Sequence, residues 1–434
     1  MKPKQTCSLL LISLLSLLIL FPGCTKNKNT PIDPVQSVTL GVILPMDQEK
    51  GTLREKALRT AIDAINEAGG VGNSFQIVLE IRSSAGANRE AVAAAAAQDI
   101  INNSKNLAGF ITSFSSESKG VVEQIAIPDH YPVISGAATS GYLTGISSYF
   151  QRLCPPDAFE ANILVQQAIS YGITTAAIAV EEGDIYSQDL ANAFQQGFGG
   201  GTQVQVLFQP DDPAYIAKLN QLLAGDPEAI FISMLNPETY VEFITRLSEI
   251  NNLDGLSNTT FILCDGLYTT TLFTAPVEFM TGEVNGHPKN FGAMPSADTA
   301  SGPFIYFKTK LMERYQQKVA SYNAQFYDIG FIYAMAIEKA YAQGGLNDMN
   351  LFRDRVNQWI RQVSHGNPGD PPVMPSLGWK SIKYACMNNG VNYIGASGNC
   401  DIDNQGNTIT PYALFKIILT GGTPNFEIIS IIYP

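Results

Sequence analysis

From Val38 onward the apolar and polar positions follow two alternating patterns. "VTLGVILP" is an unbroken apolar run, which predicts a buried strand. "REKALRTAIDAINEAGG" then places Ala57, Leu58, Ala61, Ile62, Ala64 and Ile65 at helical spacing and stops at a double glycine. "FQIVLEIR", "REAVAAAAAQDII", "LAGFITSF", "SKGVVEQIAI" and "YPVIS" continue the alternation. This βαβα order predicts a parallel sheet covered by helices on both faces. The same grammar restarts after "YFQRLCPPD": helix 157–170, "TAAIAV", helix "QDLANAFQQGF", "QVQVLF", helix 213–223, "EAIFIS", helix "ETYVEFITRLSEI" and "TFILC". Only the architecture recurs; no sequence repeat is visible. Residues 273–303 are rich in Gly, Pro, Thr and Asn without periodicity, as expected of an insertion or crossover. Helices near 304–318, 324–343 and 349–363 follow, and "PYALFKIILTGGTPNFEIISIIYP" reads as a hairpin turning at Gly421-Gly422.

Composition adds size and compartment to this picture. With 434 residues, 45% hydrophobic and 15% charged, the chain can bury a large core and divide into more than one domain. A net charge of -12 argues against nucleic acid, whose phosphates such a surface repels. The first residues hold a basic start, an apolar run from Leu9 to Phe21, and Gly23 before Cys24. That run is short for a spanning helix and suits an export signal over 1–23. "LFPGC" resembles a bacterial lipobox, which implies lipidation at Cys24, with Phe21 and Pro22 departing from its commonest residues; 24–36 then reads as a tether. Four cysteines remain beyond Cys7 and Cys24. Cys386 and Cys400, flanking an Asn- and Gly-rich stretch, are the candidate disulfide of an exported protein, with free buried thiols as the other reading. Cys154 and Cys264 are isolated, and no CxxC or His-Cys cluster suggests a metal.

In open parallel sheets, ligands sit beyond the carboxyl ends of strands. "FSSES" falls there, where Ser115 and Ser116 would cap the next helix and its free N-H groups would welcome a carboxylate. Capping alone explains either serine. The following strand, however, ends in "SGAATS", again small and hydroxyl-bearing, and two such strand ends in succession point to a site.

"VTLGVILPM…KALRTAIDAINEAGGV", "GFITSFSSESKGVVEQIAIPDHYPVISGAATSGYLT", "AAIAVEEGDIYSQDLANAFQQGF", "EAIFISMLNPETYVEFITRL" and "QFYDIGFIYAMAIEKA" together resemble type I periplasmic binding proteins of the branched-chain amino acid and amide class. The resemblance covers nearly all of the chain after residue 37. It implies an α/β fold of two Rossmann-like lobes with parallel sheets, joined by a hinge of three crossovers. Lobe 1 would comprise 37–149 and about 300–385, and lobe 2 150–299 and about 386–434. It also implies a clamp: Ser116 and Thr139 on the ligand carboxylate, the Ala137 carbonyl and Asp265 on the ammonium, Tyr186 from the second lobe, and Tyr322 as an aromatic lid. Three departures bear on the ligand's side chain. Asp265 stands where Glu is common, Leu235 where Tyr is common, and Lys50 where an aromatic is common.

Competing motifs are weaker. Ser116 to Lys119 spells the SxxK of penicillin-recognising enzymes and "SYN" at 321–323 fits a second motif, but no KTG follows and the βαβα order is wrong for that fold. "DIDNQG" at 401–406 resembles a calcium loop, yet position twelve is Tyr412 where a bidentate Glu is needed. His130, His287 and His365 are scattered, and there is no phosphate-binding glycine loop. The sequence therefore reads as a non-enzymatic, lipid-anchored receptor in the cell envelope, needing no cofactor. It would capture an amino acid or amide for an ABC transporter permease. The alternative is a ligand-sensing or assembly lipoprotein of the same fold.

Overall fold

The first sheet collects β1 (Ser37–Leu44), β2 (Gln76–Ser83), β3 (Leu107–Thr112), β4 (Val133–Ser135) and β5 (Phe150–Arg152), all parallel, in the order β2-β1-β3-β4-β5. In this computed structural model residues 36–86, 88–250 and 256–433 are described. The expected leader, Cys24 and all but the last residue of the tether lie outside them. Burial follows position: β1 and β3 are almost wholly buried, while β2 at the edge is only partly so. The helix Asn323–Ala342, apolar nearly all round, fills the centre of this half against the helices Glu49–Glu67 and Met349–His365. Gly330 lets it approach Ala61 closely, where any Cβ would collide.

The second sheet has β6 (Ala176–Glu181), β7 (Thr202–Phe208), β8 (Ala229–Ser233) and β9 (Thr260–Leu263) in parallel, in the order β9-β8-β6-β7. The strand Asn290–Pro295 continues it parallel beyond β9, and the antiparallel strands Tyr412–Thr420 and Thr423–Ile432 complete it. The expected insertion at 273–303 is thus corrected in part, because it supplies an interior strand. Asn290 hides the signal by opening a buried strand with an amide. That amide donates to the Met280 and Ile417 carbonyls, each at 3.0 Å, and accepts from the Ile417 N-H at 2.6 Å.

The chain crosses between the two sheets three times, at 153–156, 296–301 and 403–411. The first and third crossings are tied together: Arg152 N donates to Gly406 O at 2.9 Å and Thr408 Oγ1 to Arg152 O at 2.9 Å. Two expected lobe edges move. Phe150–Arg152 pairs with β4 in the first sheet, and Val391, Tyr393, Cys400 and Ile402 pack in the first core, so that segment belongs with lobe 1. The helix Trp379–Asn388 and the short pairing of Asn392–Gly395 with Gly398–Asn399 were not anticipated.

The expected Cys386–Cys400 disulfide is corrected: all four described cysteines are free and buried. Cys386 packs among apolar neighbours on its helix, whereas the Cys400 thiol faces Ser397 and Asp328. Asp328 is itself fully engaged by Tyr393 Oη, the Ala396 and Ser397 N-H groups and the Ser397 hydroxyl, which hold this turn without a covalent link.

Candidate ligand-binding site

The carboxyl ends of both sheets face one cavity of about 280 Å³, just below the roughly 300–1,000 Å³ usual for ligand pockets. On the first-sheet side, β3 delivers Phe114 and Ser115, and β4 delivers Ala137 and Thr139. The Ser115 hydroxyl accepts from Ser140 N at 3.1 Å, which leaves its proton free to donate. The Thr139 hydroxyl is buried beside Asp157 and makes no hydrogen bond of ordinary geometry. An unanswered buried hydroxyl on a cavity wall suits a ligand oxygen.

The opposite wall centres on Asp265, just beyond β9. Tyr186 Oη donates to one of its carboxylate oxygens and Tyr322 Oη to the other. Burial first, and the Asp265 charge second, push both phenols well above their ordinary range, so they remain donors. Tyr322 reaches Asp265 from the first half in a left-handed backbone conformation, φ 64°, before the helix Asn323–Ala342. For a non-glycine residue this costs about 1–2 kcal/mol. Leu235, Gly266, Tyr268 and Phe426 complete this side, with Tyr268 and Phe426 stacked at 4.3 Å.

Behind Asp265 lie two more buried carboxyls. Glu160 accepts from Asp265 N at 2.8 Å through one oxygen, and its other oxygen and both of Asp157 lack partners. Burial pushes both groups well above the usual carboxyl range, and for Glu160 the Asp265 charge adds to it. Of these three carboxyls, Asp265 is the one that reaches the cavity wall.

Five of the six expected ligand residues, Ala137, Thr139, Tyr186, Asp265 and Tyr322, line the cavity. Ser116 is corrected. It lies one position round the first helical turn, half-buried and off the wall, and Ser115 takes its place. Lys50 lines the cavity and donates to Gly266 O at 2.8 Å across the gap, with its pKa lowered to about 8 by burial and then by Arg54. Arg54, unanticipated, lies over the rings of Phe114, Tyr322 and Phe326 at 4.8, 5.5 and 5.7 Å and donates to Ser113 Oγ. Its register with Ala57, Leu58 and Ala61 on the buried stripe was the available signal.

Arg152 was missed entirely. Fully buried between the crossings, it donates to Ala138 O (2.9 Å), Ser140 O (2.8 Å), Thr144 Oγ1 (2.6 Å) and Asn407 Oδ1 (2.9 Å), and so shapes the loop that carries Thr139. That loop also meets the other half: the Ser140 hydroxyl and Tyr142 N, the latter at 3.1 Å, both donate to Asp189 Oδ2.

A family model described as "Receptor family ligand binding region" matches residues 53–420. Comparison with curated proteins returns no match. Among solved structures, a leucine-binding protein of Thermotoga maritima is similar at 22% identity, over 92% of this chain and 99% of that one, with a TM-score of 0.69. A branched-chain amino acid transporter substrate-binding protein of Streptococcus pneumoniae, in complex with isoleucine, follows at 16%, 91% and 99%, with 0.68. An ABC-transporter solute-binding protein of Rhodopseudomonas palustris, in complex with 3,4-dihydroxybenzoic acid, follows at 15%, 92% and 97%, with 0.64. These likenesses establish a shared two-sheet fold, and the matched family is a ligand-binding one, in line with a non-enzymatic chain. Among the described residues no helix is long and apolar enough to cross a membrane, and no His, Cys, Asp and Glu cluster could hold a metal ion.

Proposed function

Because the chain belongs to the receptor family ligand binding region family and has the type I periplasmic binding protein fold, we propose that it is an extracytoplasmic solute-binding protein. It captures an amino acid or related amide between two lobes for delivery to an ABC transporter permease, and Cys24 anchors it by lipid to the membrane surface. The lobes divide at the three crossings. One observation carries the reading: a single cavity takes hydroxyls from two strand ends of the first half and the Asp265 carboxylate from the second. Ser115 and Thr139 suit a carboxylate and Asp265 suits an ammonium, so a zwitterion touches both lobes and favours their closed arrangement. Binding partners named for similar folds, leucine and isoleucine among them, support this ligand class.

A thermal-shift screen against amino acids, amides and short peptides tests it, because a ligand held only by the folded state raises the melting temperature. Leading hits should lose their shift in Asp265→Ala. A shift that survives this change with an ammonium-bearing ligand refutes the role given to Asp265, and a flat screen refutes the ligand class.

A further inference from the structure

Resting on the amino-acid reading above, we infer that the preferred ligand carries a second carboxylate, held by Lys50 and Arg54. The two cations line the same cavity as the clamp, and among the described residues neither makes a salt bridge. Lys50 spends one N-H on the Gly266 carbonyl. Arg54 is 3% exposed, donates to the Ser113 hydroxyl and keeps its Nε without a partner. A buried cation such as Arg54, with the half-buried Lys50 beside it, is costly without an ion-pair partner unless a ligand supplies one.

Behind Arg54, Glu117 acts on it through its charge but makes no ion pair with it. Glu117 is turned to the Phe114 N-H, at 2.8 Å, and to the Ser84 hydroxyl, away from the cavity wall. At the rim the exposed Glu49 and Lys318 offset each other. Inside, Lys50 and Arg54 face Asp265, the one acidic side chain on the inner lining. A neutral amino acid, with its carboxylate on Ser115 and Thr139 and its ammonium on Asp265, would give Lys50 and Arg54 no ion-pair partner in the cavity. A side-chain carboxylate reaching Lys50 and Arg54 supplies that partner and gives Arg54 a planar match for its fork. Leu235, on the facing wall, offers no competing hydroxyl.

Isothermal titration of the protein with L-glutamate, L-aspartate, L-glutamine, L-leucine and L-isoleucine tests this, since glutamine matches glutamate in shape and lacks only its charge. An acidic amino acid should bind at least about thirtyfold tighter than glutamine and the aliphatic ones, and Lys50→Met should remove most of that advantage. Lys50 donates only to a backbone carbonyl, so circular dichroism should show the variant folded. Equal or tighter binding of glutamine or leucine overturns the inference and leaves the amino-acid reading standing. An acidic preference unchanged by Lys50→Met also overturns it. Binding of none of the five overturns the inference and the amino-acid reading together.

Discussion

Glu160 shows how far one buried side chain sets the conditions of the site. Its carboxyl supports Asp265 through a backbone N-H and keeps its own proton because burial raises its pKa well above the ordinary 4.5. The unfolded chain releases that proton above about pH 4.5 while the folded chain retains it. The folded state then binds more protons, and stability falls as pH rises, by up to about 1.4 kcal/mol per unit. Glu160→Gln keeps an acceptor for Asp265 N and removes this dependence. Urea unfolding at pH 5 and pH 8 should show the parent losing more stability over that interval than the variant, and equal losses would contradict a protonated Glu160. Lys50 gives binding its own pH dependence. Burial and Arg54 lower its pKa to about 8, against the raising influence of Asp265, Cys264 and Glu181. Affinity for a carboxylate ligand should therefore weaken above pH 8, by up to about tenfold per unit, and a titration flat from pH 7 to 9 would exclude Lys50 from the contact. Asp265, Tyr186 and Thr139 were reached from sequence through the family resemblance, and the structure puts all three on the cavity wall. Arg152 and Arg54 were not, because a lone arginine in "FQRLC" or "TLREKA" reads as an ordinary solvated charge until three dimensions place it among carbonyls and rings.

The helices and strands followed their periodicities wherever burial was one-sided or complete. β1, β3, β6, β8 and the helix Asp157–Ser170 fell where the apolar runs put them. The interior strand Asn290–Pro295 was lost because "NFGAMP" is short, contains glycine and proline, and begins with a side chain that bonds like backbone. The helix beginning at Ser115 shows a further constraint. It passes through a π-helical turn at Val122–Ala126 and ends at His130 in a left-handed conformation. Gly120 within it rests directly on the Glu90 carbonyl of the helix Arg89–Asn103. A methyl group there has no room, and a main-chain atom cannot step aside as a side chain can. Gly120→Ala should therefore destabilise the protein by about 1–3 kcal/mol through overpacking. It should also weaken ligand binding, because the same helix presents Ser115. An unchanged urea midpoint would show that the two helices can separate at little cost.

Across the whole molecule, four hydrogen bonds join the halves around the cavity: Lys50 to the Gly266 carbonyl, Tyr322 to Asp265, and Ser140 with Tyr142 N to Asp189. Asp189 lies outside the cavity lining, so its removal tests closure apart from direct ligand contact. Asp189→Ala should lower ligand affinity about fivefold to thirtyfold by shifting the population towards the open arrangement. Small-angle scattering should show a larger radius of gyration than the parent at subsaturating ligand, and the same radius with reduced affinity would place the effect elsewhere. The two-sheet plan was legible because the βαβα grammar simply restarts. The exact seams were not, since crossings such as 153–156 carry no periodic signal. The Lys50 contact also has an asymmetry. Its acceptor is a main-chain oxygen, present whatever residue occupies position 266, so sequence drift on that side cannot erase it. Mutation can adjust this latch only from the lysine, which makes position 50 the place where a lineage could retune how readily the protein shuts without rebuilding the opposite wall.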